Sequence, residues 1–413
     1  MFKIGLKLWS TNKHYVADAV KLFDQGVYDY IELFAVSGSY DEFIGLWKSL
    51  NIPFVVHAAH FYQGMCLSRP EFFTKNMQLA TEALKFADDL KAPWVIFHSG
   101  VGGEINETAR QLQVINDKRL LIENKPKIGL GGESCNGYSP EEMSFLQQEA
   151  GVGFCLDIGH AICAANALKV EPINYLREMI ALGPKLFHMT DGDKTGYFDQ
   201  HLHFGEGSYE FNKIFDLLPT SMDVSIECVH DFTDSLQDFS NDALFLKKHF
   251  IRKMRDSLTI KHANWKSVGL LFDLANDPLV RQVSHIKKSK ITLAEHLFWC
   301  EKKIDNPDTL LLLVYIEGDF VGVVRFERDF LAGKKMATIS ISLHKRFRGL
   351  GLGSFILENA LNHAKKWGVE IVKASVMEKN IASIKIFMAA GFDFCEKKEV
   401  EGNVCKIYQQ NLI

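Results

Sequence analysis

The sequence predicts an α/β chain in two parts: a (β/α)8 TIM barrel over residues 1–252 and an α+β domain over residues 258–413. Three observations carry this. Over the first 250 residues, short apolar runs alternate with longer amphipathic stretches about eight times, the pattern and size of a closed parallel sheet wrapped in helices. Nearly every apolar run ends in a residue able to ligate a metal, and the working groups of such barrels stand at the C-terminal ends of their strands. Near residue 255 the alternation gives way to a β-rich block, a glycine-rich turn and further helices.

Taken in order, buried strands are expected at residues 4–9, 30–34, 54–57, 94–98, 120–123, 153–157, 185–188 and 224–227, with helices such as 70–90 and 140–150 between them. No run stands out as an antiparallel edge, which favours closure, and the connections read as short. The basic stretch 247–255 reads as a helix end and connector. After it come an acidic and apolar helix beyond Trp265, strands at 310–316, 320–327 and 337–343, a helix at 354–367, a strand at 370–377 and a helix at 381–390. There is no solenoid repeat and no low-complexity tract.

Hydrophobic residues make up 47% of the 413 and charged residues 24%, the balance of a globular protein with sizeable cores. No apolar run approaches the roughly 20 residues of a membrane helix, and the start of the chain has no signal-peptide pattern. Eight cysteines without a Cys-x-x-Cys indicate neither a disulfide framework nor a zinc ribbon, so a cytoplasmic setting is expected. Charge divides unevenly. Residues 1–250 hold 21 Lys and Arg against 33 Asp and Glu, a net of −12, and the remainder carries +8. The acidic part is ill suited to gripping a nucleic-acid backbone, and the basic part suits phosphate-bearing ligands.

The donors at the ends of the runs are His57, His98, Glu123, Asp157, His160, His188 and Glu227, joined by Asp199 and His201 from the polar stretch 198–207. Mixed imidazoles and carboxylates suit zinc, manganese or iron better than magnesium or calcium. One ion needs about four to six ligands, so nine donors can serve two or three ions if carboxylates bridge.

With Glu123-Asn124, Asp157-x-x-His160, His188, Asp199-x-His201-x-x-x-Gly205-x-Gly207 and Glu227, residues 1–250 resemble the endonuclease IV and xylose-isomerase-like TIM barrels. In the sugar isomerases and epimerases of that family four side chains hold one divalent metal; the resemblance puts them at Glu123, Asp157, His188 and Glu227. In the endonuclease IV branch nine side chains hold three zinc ions, and all nine donors above have the matching type and order. An isomerase would use Glu123 and Glu227 to move a proton between adjacent carbons, whereas a metal cluster suits phosphoester hydrolysis. The resemblance thus implies a divalent metal, zinc or manganese, with one ion or three left open. Isomerisation or epimerisation of a small sugar is set ahead of phosphoester cleavage, and DNA is disfavoured by the charge. His203 falls outside the family pattern and reads either as a support behind the ligands or as structural.

In the second part, Arg346-Phe-Arg348-Gly349-Leu350-Gly351-Leu352-Gly353 lies between a strand and a helix, where backbone N–H groups can turn toward a pyrophosphate. It contains no Gly-Lys-Ser/Thr, and no ribose-binding acid follows in a βαβ series, which excludes the Walker and Rossmann readings. Together with Asn380-Ile-Ala-Ser383 and the downstream Gly391-Phe392, residues 258–410 resemble the GNAT acetyltransferases. The resemblance implies acetyl-CoA as donor, bound by Leu343, Arg348, Gly349, Leu350, Gly351, Leu352, Gly353 and Ser354, with Asn380 beside its arm. Phe387 stands where many members carry a tyrosine acid, leaving Ser383, Tyr408 or water to protonate the thiolate; Glu327 and His296 are base candidates by type. Asn276-Asp277-Pro-x-x-x-Arg281 and His296-x-x-Trp299 resemble acetyltransferases that modify UDP-linked amino sugars on the way to pseudaminic- and legionaminic-type nonulosonic acids. Arg281, His296 and Trp299 would then bind the acceptor; the alternative is that His296 and Trp299 form one face of an amphipathic helix. The expectation is a bifunctional enzyme acting on a small sugar or nucleotide sugar, with neither nucleic acid nor membrane as partner.

Overall fold

A computed structural model describes residues 2–282, 289–331, 334–400 and 402–412. The chain divides into two compact units, Met1–Phe250 and Ile251–Ile413. In the first, strands β1 (Lys3–Trp9), β2 (Tyr30–Phe34), β3 (Phe54–His57), β4 (Val95–His98), β5 (Leu120–Glu123), β6 (Gly153–Asp157), β7 (Leu186–Met189) and β8 (Asp223–Ile226) pair in parallel, and β8 closes on β1. Helices α1 (Val16–Asp24), α2 (Tyr40–Lys48), α3 (Phe73–Leu90), α4 (Ile105–Ile115), α5 (Pro140–Ala150), α6 (Ile158–Leu168), α7 (Pro172–Ala181), α8 (Phe211–Leu217) and α9 (Gln237–Met254) lie between and after the strands. α9 runs to Met254, through most of the stretch expected as a helix end and connector, because Phe250 and Ile251 are buried and keep the helical face apolar.

The strand period of two builds the site. Tyr30, Val55, Ile96, Leu121, Cys155 and Leu186 form one buried apolar cluster. Two residues further on, and hence on the same face of each strand, stand Glu32, His57, His98, Glu123, Asp157 and His188. Strands β1 and β8 continue the pattern with Gly5 then Lys7 and Ser225 then Glu227. A Cβ on Gly5 would lie 2.4 Å from the Tyr30 ring, so this place in the lower layer admits glycine alone. The apolar layer closes the barrel from below and the polar residues stand above it.

Two connections are longer than the sequence suggested, residues 124–139 and 190–210. The second is organised by Asp191, whose buried carboxylate accepts from the backbone N–H of Gly192 (2.8 Å), Gly205 (2.9 Å), Gly207 (3.1 Å) and Tyr209 (3.2 Å). Asp191 and Leu202 also exchange backbone hydrogen bonds at 3.0 Å. A Cβ on Gly207 would fall 2.3 Å from Asp191 Oδ1, which is why the loop approaches this closely only through glycine.

The second unit is an α+β sheet in the order β14-β15-β13-β12-β11-β10-β9. Its elements are β9 (Leu258–His262), α10 (Val268–Ala275), α11 (Pro278–Gln282), α12 (Leu293–Lys303), β10 (Thr309–Ile316), β11 (Asp319–Leu331), β12 (Lys334–Leu343), α13 (Leu352–Lys366), β13 (Ile371–Met377), α14 (Ile381–Ala389), β14 (Asp393–Val400) and β15 (Asn403–Asn411). β12 and β13 are parallel and joined by α13, but their ladder spans only Met336–Ile339 against Ile371–Ala374. Beyond it the strands part. The sequence reading missed β9 and the β14–β15 hairpin. β14 reads Asp-Phe-Cys-Glu-Lys-Lys-Glu-Val, an edge strand exposed along nearly its whole length, and so lacks the apolar alternation of a half-buried strand. Among the described residues no helix is long and apolar enough to cross a membrane.

Because the buried Asp191 carboxylate serves four backbone N–H groups at once, those of Gly192 and Tyr209 on buried residues, Asp191→Ala should cost on the order of 3–5 kcal/mol in chemical denaturation. Asp193→Ala, on an exposed turn of the same connection, should change stability by only about 0.5 kcal/mol.

Candidate functional site

At the barrel mouth the donors converge on Glu123, which is 1% exposed. His98 Nε2 lies 2.9 Å and His57 Nε2 3.2 Å from Glu123 Oε2. His188 Nδ1 lies 3.3 Å from the same oxygen, and His160 Nδ1 lies 3.2 Å from Oε1. Burial alone would push the Glu123 carboxyl up, but His98, His188 and His160 hold it well below the usual carboxylate range. Asp157 is pushed up to about 6 by burial, with Asp199 and Glu123 adding to this against the pull of His160. Burial pushes His98 down, against the pull of Glu123.

Ring orientation is fixed from behind. His57 donates from Nδ1 to the Ala58 carbonyl (2.7 Å) and His160 from Nδ1 to the Asn124 carbonyl (2.9 Å), leaving each Nε2 free to face the cluster. Asn124 also bridges the ends of β5 and β6, accepting from the Asp157 N–H (2.8 Å) and donating to the Asp157 carbonyl (3.0 Å). Asp157 both ends β6 and caps α6, accepting from the His160 N–H, so strand passes to helix without a loop. His188 donates from Nε2 to Glu32 (3.0 Å). Its Nδ1 is buried without a hydrogen-bond partner, 2.7 Å from Glu227 Oε1. Two such lone-pair atoms at that separation call for a cation or a proton between them. Carboxylate-to-histidine support, carbonyl-to-histidine support and inward-facing free nitrogens are what a divalent metal site requires, and the residues fit one.

Asp199 and His201 arrive on the Asp191-organised connection. Asp199 Oδ2 lies 3.5 Å from His160 Nε2 and 3.2 Å from His201 Nε2. His201 adopts φ +51, a left-handed conformation that turns the chain back at the site. All nine sequence candidates of the barrel are therefore gathered at one end of it. His203 is engaged elsewhere, donating to Asp242 Oδ2 at 2.7 Å.

Sequence reasoning missed Lys7 and Glu32. They are register neighbours on β1 and β2, and each lies two residues before the end of its strand, so the rule that looked at the ends of apolar runs passed over them. A charged residue in the same phase of two neighbouring apolar runs was the available signal. The Lys7 ammonium contacts Glu227 and lies 3.3 Å from Glu32 Oε1. Burial would lower it, but Glu227, Glu32 and Glu123 together raise it, so it is a fixed cation. Above lies a cavity of about 670 Å³ lined by Lys7, Lys125, His60, Trp9, Tyr62 and Phe198 among others.

In the second unit Gly349 (φ +74) and Gly351 (φ +70) turn the chain into α13, with nothing within 4 Å of a Cβ at Gly349. Gly353 abuts Ile386 of α14, where a Cβ would lie 2.5 Å from its side chain. Leu343 ends β12, and its carbonyl accepts from Arg348 Nε at 2.9 Å. Arg348 Nη2 pairs with Asp277 at 2.8 Å, and Asp277 caps α11, which carries Arg281. Leu350 and Leu352 are buried, and Ser354 lies in the first turn of α13. Asn380 caps α14 by accepting from the Ser383 N–H at 3.2 Å. Phe387 and Tyr408 are buried, each against another ring. Glu327 is engaged by Lys303 and Arg325. His296 is withdrawn from any acceptor wall: it is 3% exposed and its Nε2 is spent on the Val268 carbonyl. Trp299 packs half-buried at the α10–α12–β10 core, under the Arg325 guanidinium.

The first unit is thus a TIM barrel with a histidine- and carboxylate-rich centre at its mouth, and the second a forked sheet with a glycine-rich turn of the acyltransferase kind. Residues 17–249 match the xylose isomerase-like TIM barrel family and residues 272–392 the GNAT acetyltransferase family. The chain belongs to the xylose isomerase-like TIM barrel family and carries a GNAT domain behind the barrel. It is 29% identical over 103 residues to an uncharacterized protein of Methanocaldococcus jannaschii, covering 24% of this chain and 32% of that one. It is 26% identical over 180 residues to a probable endonuclease 4 of Halothermothrix orenii, covering 39% and 64%. The chain therefore spans less than two thirds of either relative. A D-tagatose 3-epimerase-like protein of known structure is 18% identical, with a TM-score of 0.47, covering 62% of this chain and 98% of that one.

Removing the fixed cation leaves the buried Glu32 carboxylate with only His188 and Ser225 at one oxygen, and takes the ammonium from Glu227 as well. Lys7→Met should therefore destabilise chelator-treated protein by about 3–5 kcal/mol in urea denaturation. Adding Glu32→Gln should restore part of that loss.

Proposed function

We propose that the chain is a bifunctional enzyme of amino-sugar metabolism, with modules over residues 1–252 and 258–413. For the barrel we infer a multinuclear divalent-metal centre, zinc by its donors, that cleaves a phosphoester of a small sugar-containing substrate. The sequence alone set isomerisation or epimerisation first. The observation that moves the reading is the approach of Asp199 to His160, with His201 beside Asp199, since a four-ligand isomerase centre has no use for that pair. Glu123, Asp157, His188 and Glu227 would hold an ion in either reading, His57 and His98 would extend the centre on one side, and His160, Asp199 and His201 on the other. Bound divalent ions supply Lewis acidity toward a phosphate oxygen. The chain's own residues orient and screen. Glu32 and the Ala58 and Asn124 carbonyls fix three imidazoles, and the Lys7 ammonium offers a permanent positive charge to an anionic oxygen at the cavity floor. Trp9, Tyr62 and Phe198 stand 44–66% exposed on the cavity wall, apolar surface for a sugar or base. The net charge of −12 over residues 1–250 argues against duplex DNA as substrate, although the curated relative above is named a probable endonuclease.

For the second module we infer transfer of acetyl from acetyl-CoA to an amino group of a nucleotide-linked sugar of the kind that leads to nonulosonic acids. The fork between β12 and β13 and the open glycine turn before α13 support donor binding at residues 343 and 348–354. With acetyl-CoA bound there, a neutral amine would attack the thioester carbon as the C–S bond breaks, its proton passing to the leaving thiolate or to solvent, and backbone N–H groups of β12 beyond the ladder would steady the charge on the carbonyl oxygen. Asn380 and Ser383, at the start of α14, stand nearest by sequence to the departing thiolate. Arg281 remains the acceptor-side candidate.

Metal analysis of the purified chain tests the barrel reading. Two or three zinc ions are expected at this centre, with phosphate or nucleotide release from a sugar nucleotide. Asp199→Asn should lower the count by one and abolish most turnover. A single manganese, sugar isomerisation and indifference to Asp199→Asn would instead establish the isomerase reading. For the transferase, Arg348→Ala should raise the KM for acetyl-CoA about 10- to 100-fold, the value of a charge-assisted hydrogen bond. Thiol release should depend on an amino-sugar nucleotide, and no release with any of them would refute the acceptor.

A further inference from the structure

A second group of metal-ligating side chains lies outside the nine. His203 of the 190–210 connection, Cys228 just beyond β8 and Asp242 of α9 each offer a donor atom within 4.8 Å of the other two. They come from three different segments of the barrel. Asp242 is 3% exposed and accepts from both His203 Nδ1 (2.7 Å) and the Phe204 N–H (3.0 Å). His203 Nε2 is buried without a hydrogen-bond partner, with Asp231 Oδ2 at 3.3 Å. Cys228 reaches the cavity wall, which gives an ion a path inward. A latch between loop and helix would need only the His203–Asp242 hydrogen bond. The thiol and the unsatisfied ring nitrogen exceed it.

We propose that Cys228, His203 and Asp242 form a separate metal site that binds one zinc ion through His203 Nδ1, with water as the fourth ligand and Asp231 behind the ring at Nε2. Thiolate, imidazole and carboxylate together select a borderline-soft ion over calcium or magnesium. Binding displaces the Cys228 thiol proton, now shared with the Leu202 carbonyl at 3.1 Å, to solvent, and requires the His203 tautomer whose proton is on Nε2, where Asp231 accepts it, in place of the one that donates from Nδ1 to Asp242. The ion would tie the loop that carries Asp199 and His201 to β8 and α9, so this site positions the main centre and takes no part in its chemistry.

Cobalt(II) substitution of the full chain after chelation reads the site directly. A thiolate-to-cobalt charge-transfer band is expected in the near ultraviolet. Cys155, which lies near Glu123 and His188, is the competing thiol, so the band should survive Cys155→Ala and vanish in Cys228→Ser, with one fewer ion per chain. His203→Gln should give the same loss, and serves if Cys228→Ser does not fold. No band in the wild type, a band that survives Cys228→Ser, or an unchanged metal count would overturn the proposal. None of the nine donors is a thiol, so failure of the main-centre reading would leave one ion and the band intact.

Discussion

The carboxylate of Glu123 is buried among the rings of His57, His98, His160 and His188, and the rest of the barrel is built to tolerate it. An ionised acid in such a place is costly unless positive charge and hydrogen bonds surround it. Each histidine comes from a different segment, so the compensation exists only when the sheet is closed. Further from the centre, Glu32 orients His188, Lys7 balances Glu32 and Glu227, and Asn124 fixes the spacing of β5 and β6. Closure of the barrel and assembly of the site are one event.

That coupling explains what could be read in the chain. The strands were legible because a parallel sheet buried on both faces writes itself as uninterrupted apolar runs, and His57, His98, Glu123 and Asp157 were legible because they end theirs. Lys7 and Glu32 were not, since β1 and β2 run two residues further, to Trp9 and Phe34. The same phase within the strand places all eight residues on one face, but phase shows only when the runs are aligned by their lower layer. Asp191 was invisible for another reason. Its partners are backbone N–H groups, which leave no side-chain signature.

The second unit was legible where chain conformation demanded glycine, at Gly349 and Gly351, and obscure where side chains had two equivalent uses. His296 illustrates this: one helical turn from Cys300, it suits either a pocket or a helix interface, and packing against the Val268 carbonyl decides it. Arg348 has a related duality. The residue expected to meet a pyrophosphate also holds Asp277 at the start of α11, so the turn and the helix bearing Arg281 share one ion pair.

One of the two outermost strands of that sheet has a different bearing. Along β14, Glu396, Lys397, Lys398 and Glu399 present neighbouring charges of both signs at an unpaired rim, where a bare apolar strand would invite another chain to dock. A domain so bordered can be hung on the tail of an unrelated enzyme and accumulate in a crowded cell without its copies knitting into fibres. The rim that hid this strand from a hydrophobic pattern is also what makes the domain a safe passenger in gene fusion.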